Sequence, residues 1–361
     1  MVSVTPHLPD ASKTITISSY FMSAGGKGAN QAIACGCTSQ AQSSATDNKT
    51  LINVKILGAV GGLDSHFNTL LKPTLEKSGI NTSWVQIIPD AYTGIAVIVI
   101  DSGLEAENRI LFSPGANYKG MQLTPKILGL LVPDVIIMQG EIPVGSIIAA
   151  LQEITPFKSK SHADRMVGIE AGPDVMFNLA PAPPGGLPED TYAAVDHLIM
   201  NETEADLMTP PTEQLLKVVP DAASLDKKDK VARYFHQLGV TYVIITLGSK
   251  GSWYSATDAK SSSAADGVDR FTNQIPVDKV SKVLDTTAAG DTFVGAYAVK
   301  VARWREARRT AGNAGMEVTT EQKPERYQKV TEEAMKLATR AAARCVERQG
   351  SMDSIPWEDE L

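Results

Sequence analysis

Short apolar runs recur along the chain: "VKILGAVG" (54 to 61), "TGIAVIVID" (93 to 101), "PDVIIMQGE" (133 to 141), "HLIMNETEA" (197 to 205) and "VTYVIITLGSKG" (240 to 251). Between several of them lie segments with helical spacing, such as "HFNTLLKPTLEKSG" (66 to 79), "PVGSIIAALQEI" (143 to 154) and "DKVARYFHQLG" (229 to 239). Strands separated by helices cannot close as hairpins. They cross over, run parallel, and need helices on both faces of the sheet. The pattern therefore predicts an α/β fold, three layers deep, around a mostly parallel central sheet.

Two segments depart from that rhythm. "ITISSYFMS" (15 to 23) and "TGIAVIVIDSGLEAENRILFSPGAN" (93 to 117) place β-rich pieces next to one another with no helix between. They predict a small antiparallel sheet that projects from the main one and covers a site, with lid segments at about 12–24 and 92–115. "CTSQAQSSATDNKT" (37 to 50) and "WREARRTAGNAGMEVTTEQKPERYQK" (304 to 329) are read as solvated surface insertions. With 361 residues, 43% of them hydrophobic and 21% charged, the whole chain, 1–361, suits a single domain. No run approaches the roughly 20 apolar residues of a membrane span. A formal net charge of -7 argues against a protein that neutralises nucleic-acid phosphates. Three cysteines, Cys35, Cys37 and Cys345, are an odd number, and Cys35 and Cys37 lack the spacer of a redox or zinc pair, so a reducing cytosol is expected. The start, "MVSVTPHLPDASKT", has no basic stretch followed by an apolar run, and no secretory leader is expected.

Two glycine clusters carry the chemistry. In "LDTTAAGDTFVGA" (284 to 296) a helix opening at Gly290 would aim its first N–H groups at whatever lies in front of them. Side chains as small as those of Ala288 and Ala289 would not block an anion there. In "SAGGKGANQAIACG" (23 to 36), Gly25, Gly26 and Gly28 allow close backbone approach, and Lys27 and Asn30 offer polar groups before an apolar helix face. The cluster fits neither the P-loop pattern nor the dinucleotide fingerprint.

Together, "GGKGANQA" and "DTTAAGDTFVGA" resemble the two signatures of the ribokinase-like (PfkB) carbohydrate kinases. "MNETEA" (200 to 205), "TLGSKG" (246 to 251) and "RQGSMDSIPW" (348 to 357) fall between and after them in the family's order. The resemblance covers nearly the whole chain. It implies ATP-dependent phosphorylation, with D-ribose at O5 as the favoured acceptor and another sugar or a nucleoside as the alternative. It implies Mg²⁺ with ATP, K⁺ as activator, a homodimer joined through the lid, and a cytoplasmic protein that can also be nuclear.

Residue by residue, the resemblance makes Asp291 the base that takes the alcohol proton, and makes the backbone of Ala288, Ala289 and Gly290 an anion hole. The local alternative for Asp291 is a helix cap. Gly26, Lys27, Asn30 and Glu141 become sugar-binding positions, although Glu141 also reads as a solvated acid at a strand end. Asn201 and Glu204 would act through water on magnesium and the phosphates; the local alternative is an acid-rich helix N-terminus. Thr246, Gly248, Gly251, Gly290 and Thr339 would line the nucleotide cleft. Asp285, Thr287, Cys345, Arg348, Gly350 and Ser354 would hold the monovalent cation with hard oxygen donors.

One part of the family pattern is missing. Members begin with a strand carrying Gly-Ser-x-Asn-x-Asp, whose Asn and Asp hold the sugar, whereas "MVSVTPHLP" matches the residues that come after that segment. The first sheet strand is therefore expected to be absent. Two explanations stay open: an incomplete gene product of an ordinary kinase, or a form that binds nucleotide and phosphorylates poorly.

Overall fold

The computed structural model describes residues 2–5, 12–17, 19–44, 52–101, 107–121, 133–163, 172–183, 185–257, 270–313 and 320–361. The first half contains β1 (Val2–Thr5), β2 (Ser19–Phe21), α1 (Lys27–Thr38), β3 (Val54–Gly61), α2 (Lys72–Lys77), β4 (Ile80–Ile88), β5 (Ile95–Asp101), β6 (Glu107–Ser113), α3 (Ala116–Gly120), β7 (Val135–Gln139) and α4 (Val144–Ala163). The second contains β8 (Asp174–Asn178), β9 (His197–Asn201), α5 (Glu202–Met208), α6 (Thr212–Val218), α7 (Lys227–Gln237), β10 (Tyr242–Thr246), β11 (Ser252–Ala256), β12 (Phe271–Ile275), α8 (Ala289–Thr310) and α9 (Thr331–Cys345).

The main sheet runs β12-β11-β10-β9-β8-β7. Its members from β7 to β10 are parallel, and β11 and β12 are added antiparallel. Side chains alternate across it as the pleat requires. Val175, Phe177, Leu198, Met200, Val243 and Ile245 pack with α4 and α7, while Met176, Ile199, Tyr242 and Ile244 pack with α8 and α9 on the opposite face. The expected three-layer α/β sandwich is what forms. The strands β4, β8, β11 and β12 were not expected. β8 is buried at every position, so "DVMFN" shows no alternation to read.

β3 and β4 form a separate parallel pair. Among the described residues no strand pairs with the second edge of β3 or of β7. Between those edges, and running up to the glycine clusters, lies a cavity of about 1610 Å³ whose walls include Val54, Ile56, Val135 and Ile137. The remaining four strands, ordered β2-β1-β5-β6, make the small sheet expected from the β-rich segments. It is not antiparallel throughout as expected, because it also takes up β1, which pairs parallel with β5, and of the stretch 15 to 23 only Ser19–Phe21 is strand among the described residues. Phe21, Ile95 and Phe112 bring this sheet to the cavity wall.

The reading of 304 to 329 as a solvated insertion is corrected in part: most of its described side chains are exposed or half-buried, but the stretch is largely helical and two arginines are interior. α8 continues to Thr310, and Glu325–Val330 is helical again. Arg305 and Arg326 are buried there on the two oxygens of Asp174, at 3.3 Å each. Arg326 lies 3.9 Å from the Trp304 ring centre. A guanidinium has a flat face for the indole and a fork for the carboxylate, so a charge-rich stretch can be interior. Residues 314–319 and 45–50 lie outside the described residues. Among those described, no helix is long and apolar enough to cross a membrane.

Candidate active site

Both glycine clusters end in helix N-termini that face each other. α1 opens after Gly26, whose φ of 101° is left-handed, and α8 opens after Ala288, at φ 63°. The two helices cross closely because Gly295 has no side chain: a Cβ there would sit 2.4 Å from the Cβ of Ala34. That approach brings the buried amides of Asn30 and Gln31 against Asp291, which is only 5% exposed. Asn30 Nδ2 donates to Asp291 Oδ2 at 2.8 Å, and Gln31 Nε2 donates to Oδ1 at 3.0 Å. Asp291 is thus oriented by α1 instead of capping its own helix.

Burial lifts the Asp291 carboxyl above the usual carboxylate range, opposed by the charge of Lys27 and by the Asn30 and Gln31 donors. Glu141 accepts the backbone N–H of Lys27 at 2.9 Å, so it is tied to the first cluster. Its carboxyl is also lifted by burial and by Asp291, against Lys27. Asn201 and Glu204 close a capping box on each other: Asn201 Oδ1 accepts from the Glu204 N–H, and Glu204 Oε2 from the Asn201 N–H, both at 2.8 Å. The local alternative for this pair is therefore real. Both residues still line the cavity, and burial, with repulsion from Asp291, lifts Glu204. Three acids converge around Lys27.

At the mouth of α8, a Cβ on Gly290 would meet nothing within 4 Å, so packing does not demand glycine there. Of the three residues read as an anion hole, Ala289 has its N–H on the carbonyl of Thr286, in a long bond of 3.3 Å. Behind the mouth, Asp285 accepts from the N–H of Thr287 at 2.9 Å and of Gly350 at 3.1 Å. The Cys345 thiol lies 3.1 Å from Ser354 Oγ and 3.6 Å from the Thr287 carbonyl. The Arg348 N–H donates to the Cys345 carbonyl at 3.1 Å. The six positions read as a cation site form one connected loop cluster, with one carboxylate among hydroxyl and carbonyl oxygens. That donor set fits a hard monovalent ion.

The nucleotide positions are less uniform. Thr246 lines the cavity and pairs with Asn201 across β9 and β10. Gly248, Gly251 and Thr339 do not line it. Gly251 is required by packing, since a Cβ would lie 2.0 Å from the carbonyl oxygen of Ile275, and Thr339 is buried with its hydroxyl 3.2 Å from that of Ser252.

Four residues at the site escaped the sequence reading: Gln31, Gln139, Asn178 and Ser351. Gln139 Nε2 donates to Gln31 Oε1 at 2.6 Å, Gln31 Nε2 also reaches Asn178 Oδ1 at 3.0 Å, and Ser351 Oγ donates to Asn30 Oδ1 at 3.0 Å. The signal for two of them was at hand. Gln31 adjoins Asn30, and Gln139 stands two residues before Glu141 at a strand end.

The sequence matches the pfkB family of carbohydrate kinases over residues 4–358. It is 31% identical to the ribokinase of Schizosaccharomyces pombe over 340 residues, covering 92% of this chain and 83% of that one. The fold is similar to that of a crystal structure of ribokinase from Thermotoga maritima, with a TM-score of 0.67 at 26% identity, covering 99% of this chain and 93% of the other. The structure of Arabidopsis thaliana ribokinase complexed with ribose and ATP superposes with a TM-score of 0.68 at 25% identity, covering 99% and 92%.

Proposed function

The chain belongs to the pfkB family of carbohydrate kinases, and from that premise we propose that it transfers the γ-phosphoryl group of ATP to the O5 hydroxyl of D-ribose. The similarity to ribokinases, one of them complexed with ribose and ATP, supports this acceptor. The observation that carries the reading is Asp291, buried, aimed by two amides and set at the open mouth of α8. As its carboxylate takes the hydroxyl proton, O5 bonds to the γ-phosphorus, the bond to the bridging oxygen breaks, and ADP leaves.

The other residues take supporting roles. The mouth of α8, at Ala288, Ala289 and Gly290, stabilises the charge on the transferring group. Gly26, Lys27, Asn30 and Glu141 hold the sugar, and the Lys27 charge favours the ionised form of Asp291 against its burial. Asn201, Glu204, Thr246 and Gly290, which line the cavity, form the nucleotide side; for Gly248, Gly251 and Thr339, which do not line it, the family resemblance alone supports that role. Mg²⁺ accompanies ATP and screens its phosphates; Glu204, with one carboxylate oxygen outside the capping box, would meet it through water. K⁺ would sit among Asp285, Thr287, Cys345, Arg348, Gly350 and Ser354 and stiffen the loop that carries Ala288. We place the enzyme in the cytoplasm, with nuclear presence also open to it. Its dimer would form through the lid sheet, where Tyr20 and Leu111 are exposed.

The gap between β3 and β7 favours a second reading. Because it opens onto the sugar positions, the chain would bind nucleotide and turn over poorly until a further strand joins the two sheets. The deciding experiment is ADP release with ATP, Mg²⁺ and K⁺, with and without D-ribose, beside Asp291→Asn. Ribose-dependent release abolished by that substitution supports the kinase. A folded chain that binds ATP without such release supports the second reading, and an added upstream Asn-x-Asp strand that restores turnover would separate a short form from a pseudokinase.

A further inference from the structure

Gln31 occupies a position where its amide has only one allowed orientation. Asn178 Nδ2 is committed to the carbonyl of Ile199, at 3.1 Å, so its Oδ1 faces Gln31 and requires a donor. Gln139 Nε2 presses on the other end of the same amide. Flipping Gln31 would set its oxygen against Asp291 Oδ1 and Asn178 Oδ1 and its NH₂ against that of Gln139, leaving like groups facing like in a buried pocket. Gln139 and Asn178 are opposed residues on β7 and β8, so the clamp is anchored in the sheet. Gln139 is itself backed by α1, since its Oε1 lies 3.1 Å from where a Cβ on Gly28 would be.

We propose that Gln31 is a positioning residue for the catalytic carboxylate: the Gln139 and Asn178 clamp forces its N–H onto Asp291 Oδ1, holding that oxygen fixed while Oδ2 is held by Asn30. This rests on the proposed role of Asp291 as base. A donor aimed at the carboxylate favours its charged form, so removing it raises the affinity of Asp291 for its proton. Lys27, Glu141, Glu204 and Cys345 also face Asp291, and they are unchanged in the variants that test the idea.

Gln31→Met keeps the length of the side chain and deletes the donor. With saturating ribose and MgATP, kcat is expected to fall roughly ten- to hundredfold with the KM for ATP unchanged. The acid limb of the kcat profile should move up by about one pH unit. Gln139→Met leaves the donor and Asn178 in place but removes one side of the clamp, so the N–H is held less firmly on Asp291 Oδ1, and it should shift the limb the same way by less. The carboxyl carbon resonance of Asp291, assigned by its loss in Asp291→Asn, gives the same titration without substrate. A wild type inert toward ribose would therefore defeat the proposed function and leave this inference to the resonance. An acid limb and a resonance unmoved in a folded Gln31→Met overturn it, as does a loss of thermal stability with the titration unchanged; if that variant does not fold, an unmoved titration in Gln139→Met overturns it.

Discussion

Gly290→Ala separates chemistry from folding within one residue. A methyl at this position meets no atom within 4 Å, and the backbone there is not left-handed, so the substitution introduces neither clash nor strain. Gly290 is the second residue of α8, where alanine is the better helix former by up to about 1 kcal/mol. For a chain of 361 residues, an unfolding entropy of roughly 2.1 cal/mol/K per residue gives about 0.8 kcal/mol/K. The expected change in melting temperature is thus zero to about +1 °C. Gly290 lines the cavity, however, on the surface assigned to the transferring phosphoryl group. Loss of such a contact costs roughly a hundred- to a thousandfold in kcat. The assay is a thermal melt beside ribose-dependent ADP release. A variant with wild-type turnover would refute the placement of the phosphoryl group, and a variant that melts several degrees lower would refute the packing claim. Gly295→Ala, five residues on, supplies the contrast. Its methyl would collide with Ala34 and with the Gln31 carbonyl, at 2.4 and 2.8 Å, so α1 must move away. A loss of about 1–3 kcal/mol, or about 1–4 °C, is expected there.

The same contacts set other expected outcomes. In the proposed role as base Asp291 has to be ionised, and burial raises its pKa, so kcat should fall as pH drops through a midpoint above the ordinary value of about 3.9; a profile flat down to that pH would count against Asp291 as base. Burial alone would raise Asp174, but the guanidinia of Arg305 and Arg326, with His197 nearby, hold it well below the usual range. Its stabilising effect is complete above the unfolded pKa of about 3.9 and is lost as pH falls through the depressed folded value. At neutral pH, Asp174→Asn takes the carboxylate from buried Arg326 and leaves Arg305 with Asp134 alone, 3.6 Å away, and should cost about 3–5 kcal/mol, or about 4–7 °C by calorimetry. Asp285→Ala removes the acceptor of two backbone N–H groups and should cost about 1–3 kcal/mol; if the proposed K⁺ site is right it also blunts activation by K⁺, which a potassium titration of ADP release would read.

Local patterns carry local structure. The helix start at Asn201 to Glu204 is legible because acids cluster there directly after an apolar run, and β3, β7, β9 and β10 appear in the apolar runs because burial of a strand acts on consecutive residues. The placement of Asp285, Thr287, Gly290 and Asp291 around one helix mouth is likewise carried by a single short motif. What lay beyond reach depends on distance along the chain. Gln31 meets Asn178 and Asp291 across separations of 147 and 260 positions, and nothing in "GANQA" states which amide will point where. Only the crossing of α1 and α8 at Gly295 and the register of β7 with β8 decide that. Arg305 and Arg326 read as surface charge until the fold supplies Asp174 and Trp304 as partners. The lifted pKa of Asp291 is also tertiary in origin, since desolvation is set by neighbours that the whole fold assembles and not by adjacent residues.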